Sequence, residues 1–263
     1  MFFFIVSLIL TSQNLSYKPG VSISGSESEG RQVLFTFDDG PDFRTTPLLL
    51  DYLDEYGIKG AFFVNGIRFA GKNPTAVKNR VVIREIVKRG HYLGNHTWNH
   101  PMMSKISTDK QKRQILNTHK YIKRYTGTNS FLYRPPFGQM TSYSRSVLRE
   151  NGYLVVMWNL DSEDPFKRHV SKNWRYVIGD IFRFGGGIVL MHDTNSWSIE
   201  SIPRIVRSIK LLNCENIERG DPVIEFGSIE HFYPSERNSE PTLQQIKDGL
   251  EKRKNALKWC RNL

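Results

Sequence analysis

Two cysteines in 263 residues are too few for a disulfide-built scaffold, so the fold has to rest on an apolar core. Cys214 and Cys260 allow one bridge at most, and their spacing does not say whether their Cα atoms come within reach. No apolar run approaches the roughly 20 residues that a membrane-spanning helix needs. The longest, residues 1–10, is the size of a signal-peptide core, although no Lys or Arg precedes it and no A-x-A site follows. An exported protein is the expectation, with a buried strand or an N-terminal anchor as the plainer alternative for that run. Acidic residues are also scarce, 26 against 37 Lys and Arg, which leaves a formal charge of +11. Such a surface attracts polyanions. The basic residues are scattered and no nucleic-acid module is present, so an acidic cell-wall polymer is the expected partner rather than nucleic acid. No internal repeat is evident.

What is present is an alternation of short β-like runs and amphipathic helices. Residues 1–30 end in a Ser-, Gly- and Asn-rich stretch that looks like a flexible lead-in after the signal or anchor segment, and the domain is expected to start near Arg31. Strands are predicted at Val33 to Phe37, Ala61 to Val64, from Tyr92, at Phe131 to Arg134, Tyr153 to Trp158, Ile188 to Met191 and Pro222 to Phe226. Helices follow them. One has Thr46 as N-cap with Pro47 behind it, and another opens on the capping-box pattern Thr108-x-x-Gln111. Strand-then-helix units in this number argue for parallel strands with helices outside, either a barrel or an open doubly wound sheet. Candidate chemistry at the ends of several different strands favours a barrel of about seven strands in residues 31–214, with 215–263 as a strand-and-helix extension.

Candidate chemistry collects just past the predicted strand ends. Asp38 and Asp39 are adjacent carboxylates before Gly40-Pro41, and such a pair calls for a cation or a shared proton. His96 and His100, four residues apart, can aim at one point, and one carboxylate with two imidazoles is a three-ligand set that leaves a zinc position open for water. Taken singly, each feature has a plain explanation: Asp-Asp-Gly-Pro is an ordinary turn, a His-x-x-x-His pair is commonly surface, Arg134-Pro135-Pro136 is a stiff loop and His192-Asp193 a strand-end pair. His91, His119, His169 and His231 fall outside every motif and are taken as structural or surface groups. Trp98, Trp158, Trp174 and Trp197 are taken as packing groups, with Trp197 also a candidate wall for a sugar groove.

Together, T-F-D-D-G from Thr36, H-T-x-x-H from His96, Y-R-P-P-F-G from Tyr133, D-x-x-D from Asp161 and V-L-M-H-D from Val189 occur in an order that resembles the polysaccharide deacetylases of carbohydrate esterase family four. The resemblance covers about Arg31 to Leu212. It implies a distorted (β/α)7 barrel of the α/β class, one divalent metal, usually zinc, and removal of acetyl groups from chitin, peptidoglycan or xylan. Carried over residue by residue, it implies Asp38 as general base, Asp39, His96 and His100 as metal ligands, and Arg134 as the group orienting the base. Phe137, beside Pro136, would bind the oxyanion through its backbone N–H. His192 would be the general acid, Leu190 the lining of the acetyl pocket, and Asp164 the partner of Arg134 or the tuner of the acid. The family's fourth motif usually ends Asp-Trp; here it ends Asp164-Pro165, so the aromatic groove wall is missing at that position. The expected reaction is N-deacetylation of N-acetylglucosamine units of peptidoglycan. Chitin is the alternative and xylan a distant third. A non-catalytic wall-binding barrel and a nucleic-acid binder are the rivals from other classes.

Overall fold

The computed structural model describes residues 18–27 and 31–233, together with 247, 251, 254–255 and 257–260. The apolar run at residues 1–10 lies outside the described residues, as does most of the expected C-terminal helix. Strand β2 (Gln32–Gly40) is the axis of the molecule. Its alternate residues divide between two cores, as a strand of period two requires. Val33, Phe35 and Phe37 face the helices with Leu49, Leu53 and Ile83, whereas Leu34 faces inward with Phe63, Leu132, Leu154 and Ile188. Each fully buried Phe or Leu contributes on the order of 1.5–3 kcal/mol relative to exposure.

Seven strands in sequence order wind around that interior: β2, β3 (Ala61–Val64), β4 (Tyr92–Asn95), β5 (Leu132–Tyr133), β6 (Leu154–Val156), β7 (Leu160–Asp161) and β8 (Gly187–His192). Every ladder is parallel, and β8 returns to pair with β2, with Asp38 opposite His192. This is the expected distorted (β/α)7 barrel. Helices α1 (Thr46–Glu55), α2 (Ile67–Ala70), α3 (Pro74–Lys88), α4 (Thr108–Thr126), α5 (Ser142–Glu150), α6 (Val170–Phe184) and α7 (Ser196–Arg219) flank it. The distortion lies between β6 and β7, which are joined directly by three residues, too few for a crossover helix. There the ring is not laddered. β1 (Ser22–Ile23) pairs with the free edge of β6 instead, and Asn159 ties the connection to β8 by accepting from Ile188 N–H (2.9 Å) and donating to Gly186 O (3.3 Å). Gly187 permits that approach, since a Cβ there, at φ 148°, would stand 2.0 Å from the Asn159 carbonyl oxygen.

Several expectations are corrected. The fold begins before Arg31, because β1 buries Ile23 inside the barrel. The seventh barrel strand is β7 rather than the Pro222 to Phe226 run, which forms only β9 (Glu225–Phe226) beside the start of β2. A boundary at 214 falls inside α7, and Cys214 is paired with Cys260 across 46 residues, Cα–Cα 5.7 Å. Thr46 does not cap α1: Thr45 precedes the helix, and the Thr46 hydroxyl is taken by Asp193 (2.6 Å) and by Asp42 N–H (2.9 Å). Nor does Thr108 open a capping box. Ser107 precedes α4, and Gln111 binds Ile106 O (3.1 Å) and the Thr141 hydroxyl (2.6 Å), while the reciprocal box forms at Thr141 and Ser144 of α5.

Candidate metal centre and catalytic groove

At the C-terminal end of β2 the backbone solves the problem of two adjacent carboxylates. Asp39 adopts φ 70°, and the ladder to β3 shifts register between Asp38 and Gly40. A positive φ at a non-glycine residue costs on the order of 1–3 kcal/mol and persists only where the surroundings enforce it. The kink sends the two side chains to different partners. Asp38, on the inward face with Thr36, is buried and accepts from Arg134 Nη1 (3.0 Å). Asp39 instead turns toward the loop after β4.

That loop carries both imidazoles in a tight bend rather than a helical turn. Thr97 and His100 also take positive φ, 70° and 57°. The bend is held by Thr97 N–H to Asn95 Oδ1 (2.9 Å), His100 N–H to Thr97 Oγ1 (3.1 Å) and Trp98 N–H to Gln114 Oε1 (2.8 Å). His96 Nδ1 lies 2.7 Å from Arg134 O; a carbonyl only accepts, so Nδ1 carries the proton and Nε2 presents its lone pair. His96 Nε2 and His100 Nε2 each stand 3.7 Å from Asp39 Oδ1. The three ligand atoms of Asp39, His96 and His100 lie within 4.8 Å of one another. Asp39 Oδ1 is buried with no hydrogen-bond partner among the described residues. Burial pushes His96 down to about 3, against the pull of Asp39, so its ring is neutral. An orphaned carboxylate oxygen facing two imidazole nitrogens fits a divalent cation, and the N₂O donor set suits zinc.

Arg134 is the buried centre of the barrel mouth. It extends from the end of β5, is 0% exposed, and donates from Nε to Val156 O (2.8 Å), from Nη1 to Thr36 Oγ1 (2.6 Å) and Asp38, and from Nη2 to Met157 O (2.9 Å). The Phe63 ring covers its guanidinium at 4.4 Å. The barrel break serves this group, because both backbone acceptors come from the direct β6–β7 connection region. Burial is the largest influence on Asp38 and raises its carboxyl above the usual range, with Arg134, His192 and His100 pulling the other way. Arg134 alone therefore does not keep Asp38 in the ordinary carboxylate range, and a divalent charge on the neighbouring ligands would bring it back down.

Across the groove, His192 ends β8. Its Nδ1 lies 2.7 Å from Asp164 Oδ1, and its N–H donates to Asp164 Oδ2 (3.0 Å). Asp164 thus pairs with the imidazole rather than with Arg134. Burial disfavours the His192 cation, but the hydrogen bond and charge of Asp164, then Asp38 and Asp39, raise it to about 9. Burial works to raise Asp164, but its bonds from His192 and Ser162 and the charge of His192 lower it. His192 Nε2 points into the groove, 4.0 Å from Asp39 Oδ2. Leu190 and Pro136 are buried, and Phe137 is 56% exposed at φ 57°, its ring edge-on to His100 at 4.6 Å.

All ten sequence-expected side chains are therefore placed at one end of the barrel. Sequence reasoning missed three supports. Thr36 stands two residues before Asp38, on the same strand face, which was a usable signal. Asp193, fully buried, accepts from Thr46 and presses on Gly40, where a Cβ would lie 2.1 Å from its carboxylate. Trp197 donates from Nε1 to Asp164 O (2.9 Å), and no local pattern marks that contact.

A strand-end cluster of one carboxylate and two imidazoles is thus flanked, at the mouth of a (β/α)7 barrel, by an arginine-held carboxylate and an aspartate-held imidazole. The polysaccharide deacetylase profile matches residues 25–156, and the chain belongs to that family. A peptidoglycan-N-acetylglucosamine deacetylase of Bacillus cereus is 30% identical over 183 residues, 68% of this chain and 63% of the relative. The peptidoglycan-N-acetylglucosamine deacetylase PgdA of Listeria monocytogenes is 31% identical over 206 residues, 77% of this chain and 41% of its own length. The chain thus spans less than two thirds of both. A crystal structure of a peptidoglycan N-acetylglucosamine deacetylase, in complex with an N-oxidanyl-benzamide, aligns with a TM-score of 0.66 at 25% identity, covering 82% of this chain and 94% of that one.

Proposed function

We propose that this chain is an exported, metal-dependent deacetylase that hydrolyses the N-acetyl group of N-acetylglucosamine units in peptidoglycan, releasing acetate and a free amine. The observation that carries it is the juxtaposition of the Asp39, His96 and His100 ligand atoms with a carboxylate bound by Arg134, that of Asp38, and an imidazole bound by Asp164, that of His192. A divalent ion on the three ligands, zinc in this reading, supplies Lewis acidity toward the acetamide carbonyl and toward water. Asp38, fixed by Arg134, takes the proton from the attacking water. His192, kept protonated by Asp164, gives a proton to the departing nitrogen, which an amide requires because an amide anion is a poor leaving group. By the family resemblance, Leu190 would line the space for the acetyl methyl, Pro136 would border the substrate, and the Phe137 backbone N–H would bind the developing oxyanion.

Peptidoglycan is favoured by the names of the relatives and by the +11 charge, which suits an acidic wall. Export is supported by the signal-sized run at residues 1–10 and by the Cys214–Cys260 bridge, a feature of oxidising compartments. No described helix is long and apolar enough to cross a membrane.

Acetate release from isolated peptidoglycan and from chitin, by wild type and Asp38→Asn, tests the proposal. The expected outcome is release from peptidoglycan, reduced on the order of 10²–10⁴-fold in the variant, the usual scale for a general base. Equal rates for wild type and variant would leave a non-catalytic wall-binding barrel, and a preference for chitin would move the substrate there.

A further inference from the structure

The chain departs from its family pattern at Pro165, and the space this opens is not empty of chemistry. A cavity of about 360 Å³ runs from Asp39 and His192 past Pro165 to Arg168, Asn195 and Trp197. That volume lies in the range of small-ligand pockets, roughly 300–1,000 Å³. It opens directly off the ligand cluster, so a sugar bound there would be covalently next to the one presenting its acetamide.

Its aromatic wall comes from a different element. Trp197, in the first turn of α7, is fixed by the bond from Nε1 to Asp164 O. Asp164 also orients His192, so the wall and the acid share one anchor and their spacing is set. The indole thus stands beside the proline that replaces the usual aromatic. Over it lies Arg168, its guanidinium carbon 6.0 Å from the Trp197 ring centroid. Arg168 is exposed and makes no ion pair among the described residues. In contrast, Arg134 is buried on Asp38, and Arg44 and Arg68 are both spent on Asp42. Among the described residues, the only carboxylate lining this cavity is that of Asp39, at the opposite end among the metal ligands. An indole face packs against the C–H face of a pyranose, and a planar guanidinium donates two parallel hydrogen bonds to a carboxylate.

We propose that this cavity is a subsite for the sugar adjoining the one deacetylated, in which Trp197 stacks the ring and Arg168 selects a residue bearing a carboxylate. The assignment rests on the deacetylase reading for its register, but its chemistry is separable from catalysis. It makes Arg168 a specificity determinant and explains how a chain without the usual aromatic retains a groove wall.

The test uses the full chain, metal-loaded, with two glycans of equal length. One is a neutral N-acetylglucosamine tetramer, and in the other alternate sugars carry an ether-linked carboxylate. Arg168→Ala is expected to reduce the ratio of kcat/KM for the acidic over the neutral glycan about 10-fold, the scale of one charge-assisted hydrogen bond, with the change in KM. Trp197→Ala is expected to weaken both glycans alike. Titration calorimetry of the acidic tetramer against wild type and Arg168→Ala gives a second readout that needs no turnover. An unchanged ratio with unchanged calorimetric affinity overturns the subsite while leaving deacetylation intact. Loss of affinity for the acidic glycan in Arg168→Ala, with no acetate released by wild type from either, supports the subsite and refutes deacetylation. An equal loss on both glycans makes Arg168 a general packing residue and also overturns the proposal.

Discussion

The two halves of the groove are built to different tolerances. On the side of Asp38 and His192, the bonds are already made: Arg134 to Asp38 at 3.0 Å and Asp164 to His192 at 2.7 Å, all four residues mostly or wholly buried. On the ligand side, Asp39 stands 3.7 Å from each imidazole, too far for hydrogen bonds, with one buried oxygen unpartnered among the described residues. One half is completed by the protein itself and the other, in the proposed reading, by a cation. Substitutions should therefore cost stability in the first half and ligand affinity in the second.

The sharpest way to break this contrast is to remove the cation or its carboxylate. Chelation, or Asp39→Asn, is expected to reduce acetate release by on the order of 10³-fold or more, since a Lewis acid supplies several kcal/mol to the transition state. Metal content measured by emission spectroscopy should fall, while the melting temperature of the metal-free protein stays close to that of metal-free wild type. A large drop in that temperature would erase the distinction. Arg134→Met tests the other half. It leaves a buried carboxylate without its counter-charge, and denaturant unfolding should show a loss of about 3–5 kcal/mol. A loss below about 1 kcal/mol would mean that the network is not part of the fold.

A smaller effect sharpens the comparison. His192 is raised to about 9, chiefly by Asp164 working against burial, so it is charged below that pH and loses its proton as the pH rises through it. The pair's contribution to stability is accordingly complete below the ordinary histidine range and fades toward pH 9. Asp164→Asn should move the alkaline limb of the rate profile to lower pH, read from kcat against pH. An unmoved limb would assign that limb to another group.

Legibility in the sequence followed the same division. Ala61 to Val64 was read to the residue, because a short apolar run buried on both faces has no other use. The two-residue strands β1 and β7 carry too little pattern to detect and exist only through the ladders that receive them. Thr46 and Thr108 look like caps locally, but each begins its helix, and the Thr46 hydroxyl is claimed by Asp193, 147 residues away. The site residues were legible because their spacing along the chain repeats a family pattern; for Asp164 that pattern left two partners open, Arg134 or His192, and the pairing of β7 with β8 selects His192.

By itself the sequence determined the alternation of strands and helices, the strand-end position of the chemistry and the donor types at each point, since these follow from local periodicity and from what each side chain can do. Only the tertiary structure decided that Asp39 turns away from Asp38, that the barrel breaks where Arg134 needs acceptors, and that Trp197 and Arg168 stand where Pro165 leaves room. Those outcomes depend on residues far apart in the chain being pressed together, and no local pattern encodes a contact whose partner arrives from another strand.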